Sequence, residues 1–273
     1  MNRNIYRRVL NVILLFVAGC LVAQLAGVLI IRLFGEEMFM KYGMLVSYPL
    51  MFIPAMAYNA AESRKGKFFG RGYDLDNNHF EPLDFSSCAI LVSLATVATS
   101  FITDPVTEML PEMPQNLKDT MEKLIDGPLW VAVLSTCVLA PFFEEWLCRG
   151  TVLRGLLAKM KPVYAILLSA LFFSLIHLNP WQGIPAFVLG CLFGWVYYRT
   201  GSLKLTMLMH CVNNSVSVLV SRIFGSEIES FRALFESGLN YWAVYVSFAL
   251  MLALILKSLS RISPEGLDKG ESI

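Results

Sequence analysis

The sequence predicts an all-α protein, a polytopic membrane helix bundle of about eight transmembrane helices. Hydrophobic residues make up 56% of the 273 residues and charged residues 16%, whereas a soluble domain has about 45–50% apolar and about 25% charged residues. The apolar residues occur in long runs, and a helix needs roughly 20 of them to cross a bilayer. Proline, glycine and polar residues, which end helices, separate the later runs.

Eight apolar runs fit membrane helices. They span about residues 9–32, 43–60, 86–103, 128–156, 162–179, 183–199, 204–222 and 240–258. The first run is longer than the apolar core of a signal peptide, which has about 7–15 residues. We therefore expect it to be retained as the first membrane helix. The polar loop 103–127 is expected to contain a short surface helix.

The distribution of basic residues predicts the orientation of the bundle. Lys and Arg collect on the cytoplasmic side of membrane proteins. With eight helices, both termini share one face with the segments 61–85, 149–161 and 199–204, and most of the basic residues lie there. Both termini are therefore expected in the cytoplasm. The net charge of +1 gives no indication of a nucleic-acid partner.

Two glutamates and an arginine interrupt the fourth apolar run, in the segment EEWLCR at 144–149. A charge near the bilayer centre costs about 2.5–3.5 kcal/mol on insertion scales, so these side chains are not expected to face lipid. Glu145 and Arg149 are four residues apart, which favours an ion pair on one helix face. Glu144 is rotated by about 100° and stays free to accept a proton as a general base. The alternative is that both glutamates only hold helices together or cap a helix.

Two of the three histidines, His177 and His210, also lie in predicted membrane helices. A lone membrane histidine is more often a hydrogen-bonded bridge between helices, but two histidines and a free glutamate on three helices favour a catalytic site. Phe173 precedes His177 by four residues, so its ring can hold the imidazole. Asn214 follows His210 by four residues, and together they can aim donors at one point, as an oxyanion hole requires. Asn213 is the alternative partner of His210.

The segments EEWLCR, FSLIH at 173–177 and HCVNN at 210–214 follow the series EExxxR, FxxxH and HxxxN. With these three motifs in order, the chain resembles the CAAX-processing and bacteriocin-immunity family of intramembrane proteases. That family includes type II CAAX prenyl endopeptidases and lysostaphin-resistance-A-like proteins. The resemblance covers about residues 128–222, the predicted catalytic core. Residues 1–127, with N-terminal membrane helices and loops, and 223–273, with the last helix and a cytoplasmic tail, complete a single integrated membrane domain.

The resemblance implies an endopeptidase of the bacterial plasma or inner membrane that cuts a membrane-embedded or prenylated peptide or protein. Water would attack the peptide directly, without an acyl-enzyme. The catalytic residues implied are Glu144 and His177 for water activation and His210 and Asn214 for the oxyanion. The supporting residues are Glu145, Arg149 and Phe173.

Three alternatives stay open at this point. No cofactor is favoured, but a divalent metal such as zinc could be bound by Glu144, His177 and His210. A proton-coupled transporter also places Glu, Arg and His within the membrane, although the inverted repeats of many transporters are not visible in the sequence. A non-catalytic bacteriocin self-immunity protein is the third alternative, against which the four intact catalytic residues argue.

Overall fold

The structure, a computed structural model, describes residues 4–64, 76, 78–224 and 230–264. No strand occurs in these ranges, which confirms the predicted all-α class. The helices of the described ranges are α1 (Asn4–Phe34), α2 (Glu36–Arg64), α3 (Phe85–Glu108), α4 (Gln115–Asp126), α5 (Leu129–Leu157), α6 (Pro162–Leu175), α7 (Pro180–Thr200), α8 (Leu203–Phe224) and α9 (Gly238–Leu259). A short 3₁₀ turn, Phe231–Leu234, precedes α9.

Six of the described helices are long and apolar enough to cross a membrane. They are α1, α2, α3, α5, α8 and α9. The other two predicted spans correspond to α6 and α7, and α6 has only 14 residues, fewer than the roughly 20 that a bilayer requires. The chain is thus a multi-pass membrane protein. The predicted number of eight spans stays a prediction.

The fifth and sixth predicted spans, 162–179 and 183–199, are separated by a turn that begins earlier than we predicted. We predicted a helix over 162–179, but α6 ends at Leu175. The backbone turns at Leu178, whose φ of 57° lies in the left-handed region. The side chain of Asn179 then accepts a hydrogen bond from the Gln182 N–H and caps α7. His177 therefore lies in this turn and not within a membrane helix.

The helices pack around α7. One apolar cluster joins α1, α2, α5 and α6 to α7 and includes Phe52 and Tyr197. A second cluster joins α3, α8 and α9 to α7 and includes Phe193 and Leu205. The α1–α2 pair depends on Gly19, because a Cβ there would overlap the backbone carbonyl of Met51.

The loop 103–127 does contain a helix, α4, as expected. The basic segment 65–75 and the tail 265–273, on which the predicted cytoplasmic location of the termini depends, lie outside the described residues. The orientation of the bundle in the membrane accordingly stays a prediction.

Candidate active site

Glu144 and Glu145 lie on α5, in an α-helical stretch, Ala140–Leu147, between two π-helical stretches. The π-helical stretches are Val133–Leu139 and Cys148–Leu153. Such widened turns occur frequently at functional sites, because they change which side chains and carbonyls a helix presents. The two carboxylates therefore stand on a helix whose regular hydrogen bonding changes on both sides.

The predicted ion pair between Glu145 and Arg149 is present. The Nη1 of Arg149 donates to the Oε1 of Glu145 over 2.9 Å, and both side chains are 0% exposed. The Nη2 of Arg149 donates to the Gly190 carbonyl of α7 over 3.0 Å, and the guanidinium lies 4.4 Å from the centre of the Phe173 ring. This arginine thus joins α5, α6 and α7 by a charge, a hydrogen bond and a cation–π contact.

Glu145 has a second partner, His210 of α8. The Nδ1 of His210 lies 3.1 Å from the same Oε1 atom, in a buried contact. Because a carboxylate can only accept, Nδ1 carries the proton and donates it. Nε2 is then the ring nitrogen that is not occupied by Glu145. This bond between α5 and α8 was not predicted, since 65 residues separate the two side chains.

The Phe173 ring is the common neighbour of both histidines. Its centre lies 5.2 Å from the His177 ring and 5.4 Å from the His210 ring. Both imidazoles meet it nearly at right angles, at 85° and 87°. The predicted contact between Phe173 and His177 is therefore present, and the same phenylalanine also holds His210.

His177 is fixed by the turn between α6 and α7. Its Nδ1 lies 2.8 Å from the Phe173 carbonyl oxygen, which can only accept, so Nδ1 is protonated. In the neutral ring, Nε2 then carries a lone pair that can accept a proton from water. The Nδ2 of Asn179 donates to the His177 carbonyl, and the hydroxyl of Ser174 donates to the Gly183 carbonyl, which ties the two ends of the turn together.

The carboxylate of Glu144 contacts α2, a helix that we did not predict to be part of the site. The hydroxyl of Tyr48, on α2, donates a hydrogen bond to the Oε1 of Glu144. The other oxygen, Oε2, is buried and has no hydrogen-bond partner among the described residues. Within the described chain, Glu144 also makes no direct hydrogen bond with His177 or His210. The Oε2 of Glu145 is likewise buried without a partner in the described ranges. The two glutamates therefore differ in what holds Oε1, which is Arg149 and His210 for Glu145 but the neutral phenol of Tyr48 for Glu144.

Asn214 is held by α5, and the cause is visible in the sequence. The Ala140 N–H donates to the Ser135 carbonyl in the π-helical pattern. The next donor in that pattern would be residue 141, but this is a proline and has no N–H. The Thr136 carbonyl accepts instead from the Nδ2 of Asn214, over 2.7 Å. The amide of Asn214 thus keeps one N–H for another acceptor.

Asn213, the alternative partner of His210, has a different role. Its Nδ2 donates to the Oδ1 of Asn214, and its own Oδ1 accepts from the hydroxyl of Ser100 on α3. Asn213 therefore orients Asn214 and connects it to α3. Neither contact could be read from the spacing of residues on α8 alone.

The three candidate metal ligands do not assemble as a metal site. In the described part of the chain, no three His, Cys, Asp or Glu side chains form a group that could hold a metal ion. The Nδ1 atoms of His177 and His210 are both engaged by protein acceptors. The Nε2 atom of each ring lies outside these two bonds.

Comparison with known proteins agrees with the motifs. The model of the family described as type II CAAX prenyl endopeptidase Rce1-like matches residues 126–216, which include all three motifs. No curated protein and no solved structure matches the chain. The helical core at residues 126–216 is thus similar to the family described as type II CAAX prenyl endopeptidase Rce1-like, which confirms the resemblance seen in the motifs.

Proposed function

We propose that this protein is an intramembrane endopeptidase that hydrolyses a peptide bond of a membrane-anchored or lipidated, CAAX-like substrate. The observation that carries the proposal is the different environment of two adjacent carboxylates. Glu145 is fully buried and bonded to Arg149 and His210. Glu144 has no cationic partner in the described chain: its Oε1 accepts from the neutral phenol of Tyr48, and its Oε2 is buried without a partner. The latter oxygen is suited to bind and deprotonate water.

In the proposed reaction, water lies between the Oε2 of Glu144 and the Nε2 of His177. Glu144 takes one proton from it as the oxygen attacks the carbonyl carbon of the substrate. His177 accepts the second hydrogen bond of the water and orients its lone pair. The turn that holds His177 and the contact with Phe173 keep the imidazole in place, which lowers the entropy cost of the attack.

The tetrahedral intermediate carries a negative oxygen, which His210 and Asn214 would stabilise. Asn214 has one N–H left after its bond with Thr136. The Nδ1–H of His210 is donated to Glu145, so its Nε2 can donate to the oxyanion only as an imidazolium. The Glu145 carboxylate offsets the charge of that form. Two donors fixed before the reaction are the arrangement that stabilises such an oxyanion best.

Collapse of the intermediate breaks the carbon–nitrogen bond. Glu144, now protonated, gives its proton to the leaving amine as the oxyanion re-forms the carbonyl. The Nε2 of His177 takes the remaining water proton from the new carboxylic acid and releases it to solvent, so the products are a carboxylate and an amine. Glu145 contacts His210, and Phe173 contacts both histidines. Arg149 holds Glu145 and Phe173 in place. Neither a covalent enzyme intermediate nor a metal ion enters this sequence of steps.

The substrate and its location are part of the proposal. The described helices would place the site within the bilayer of a bacterial plasma or inner membrane, with both termini in the cytoplasm. A substrate anchored by a lipid or an apolar segment would reach it from the membrane. The description of the matching family supports a prenylated peptide as one such substrate.

The experiment compares new protein termini in membranes of cells that carry the wild type or Glu144→Gln. This change keeps the size of the side chain and removes the base. Glu108→Gln is the matched control, because Glu108 is exposed at the end of α3 and lies outside the proposed site. Membrane levels of the three proteins are equalised by immunoblotting.

We expect a set of termini in the wild type and Glu108→Gln cells that is absent with Glu144→Gln. The sequences at these cuts would identify the substrate class. Identical termini in all three strains would refute the protease proposal. A transport or immunity phenotype that persisted in all three would then favour one of the other two functions.

A further inference from the structure

Tyr48 lies outside the segment that matches the protease family, on α2, yet it contacts the proposed base. Its hydroxyl and the Oε1 of Glu144 form a hydrogen bond across 96 residues of sequence. An ionised carboxylate can only accept hydrogen bonds, so the phenol is the donor. Nothing in the family match, which begins at residue 126, assigns a role to this tyrosine.

The position of the Tyr48 ring is determined by aromatic packing between α2 and α5. The ring lies 5.5 Å from that of Phe52, four residues later on the same face of α2. Phe52 is 1% exposed and stacks on Phe143, with 5.1 Å between the ring centres and 20° between the planes. Phe143 directly precedes Glu144 in the chain. The hydroxyl donor and the carboxylate are therefore fixed to one another through rigid rings.

This hydrogen bond decides which oxygen of Glu144 is available. Oε1 is occupied by Tyr48, and Oε2 is buried without a partner in the described chain. Rotation of the carboxylate would exchange the two oxygens and break the bond with the phenol. A carboxylate held at one oxygen presents the other in a constant direction, which is what attack by an oriented water requires.

We propose that Tyr48 is a positioning residue of the protease, which holds Glu144 so that Oε2 faces the attacking water. This inference rests on the proposed function. Tyr48 does not touch the substrate in this scheme and acts through Glu144. Loss of its hydroxyl should slow the reaction and leave the fold intact, because the ring contacts with Phe52 remain.

The experiment must distinguish this positioning role of Tyr48 from a purely structural role. Pro49 and Pro54 interrupt the hydrogen bonding of α2, so side-chain contacts matter for its position. If Tyr48 only joined α2 to α5, any loss of activity would follow loss of stability. Tyr58 offers a matched control: it lies on the same helix, is half-buried, and accepts a hydrogen bond from the Nδ2 of Asn11.

The experiment measures how fast wild-type-specific termini form in cell membranes after induction of the full-length protein. The strains carry the wild type, Glu144→Gln, Tyr48→Phe or Tyr58→Phe, at equal membrane levels. A fifth strain has 3-fluorotyrosine at position 48, introduced by nonsense-codon suppression, which restores a phenol of nearly the same shape. The melting midpoint of each purified protein is measured in the same detergent.

We expect Tyr48→Phe to slow the formation of these termini about 10–100-fold, with 3-fluorotyrosine restoring the rate and Tyr58→Phe leaving it near the wild type. Normal cleavage by Tyr48→Phe, while Glu144→Gln abolishes it, would overturn the role of Tyr48 alone. Equal termini with the wild type and Glu144→Gln would overturn the protease proposal and the role of Tyr48 with it. Two results would show a structural role instead. In the first, Tyr48→Phe is slow and 3-fluorotyrosine does not restore the rate. In the second, the melting midpoint of Tyr48→Phe falls together with its rate.

Discussion

Replacing Glu145 by glutamine is expected to destabilise the protein strongly, because it leaves Arg149 as an unpaired charge. Both side chains are 0% exposed. Glutamine fits the same space and can still accept one hydrogen bond, so the change removes mainly the charge. Breaking a buried ion pair by removing one partner costs about 3–5 kcal/mol. Such a loss is a large part of a typical stability of about 5–15 kcal/mol.

This loss of stability can be measured as a shift of the melting midpoint. For a chain of this size, about 1 kcal/mol corresponds to roughly 2–4 °C, so Glu145→Gln should melt about 6–20 °C below the wild type. The five tryptophans allow intrinsic fluorescence to follow unfolding in detergent. Glu108→Gln, an exposed change of the same chemistry, serves as the control and should melt close to the wild type.

A second variant tests the cause. The double change Glu145→Gln with Arg149→Met removes both charges and keeps an apolar side chain against Phe173. It should recover most of the loss, because replacing a whole buried ion pair by apolar groups is often neutral. A midpoint for Glu145→Gln within about 2 °C of Glu108→Gln, or a double variant less stable than the single one, would refute the reasoning.

Three further outcomes are expected. Gly190→Ala should cost about 1–3 kcal/mol by overpacking, since its Cβ would lie 3.1 Å from the Ala170 Cβ and 3.3 Å from Phe173; unchanged melting and cleavage would contradict this. The pKa of Asp76 lies below its usual value because hydrogen bonds from groups such as Lys204 outweigh the opposing effect of burial. Asp76→Asn should therefore melt earlier than the wild type above about pH 4, and the difference should vanish as the pH falls through that lowered pKa; a difference that grows on acidification would contradict this. Cleavage should survive dialysis against a zinc chelator, and a loss that added zinc restores would instead establish a metalloprotease.

Contacts between residues close in sequence could be predicted, and contacts between distant helices could not. The spacing of Glu145 and Arg149, and of Phe173 and His177, places each pair on one helix face, and the structure has both contacts. The bond of Tyr48 with Glu144 joins helices 96 residues apart. No periodicity within either helix specifies which faces meet.

The predicted location of His177, within a membrane helix, was wrong for a different reason. An apolar run of 162–179 is long enough for one helix, and its composition does not indicate where the helix ends. The end is set by backbone geometry, with Leu178 in a left-handed conformation and Asn179 capping the next helix. The Asn-Pro pair at 179–180 is such a cap signal, and it indicates the start of α7 better than the apolarity of the run does.

Two of the candidate site residues are oriented by backbone carbonyls that the helices leave available. The Phe173 carbonyl receives the Nδ1–H of His177, because the His177 backbone N–H donates to Ser174. The Thr136 carbonyl receives Asn214, since Pro141 has no N–H.

The Gly190 carbonyl, within the regular helix α7, also receives Arg149, and the absence of a side chain on this glycine lets α6 and α7 approach closely. Water is scarce within a bilayer, so a carbonyl without a donor must be satisfied by the protein itself. Each irregularity in a helix therefore requires a polar side chain nearby, and the bond that satisfies the carbonyl also fixes that side chain. This accounts for why a site that needs fixed histidine and asparagine side chains is built where α5 widens and α6 ends.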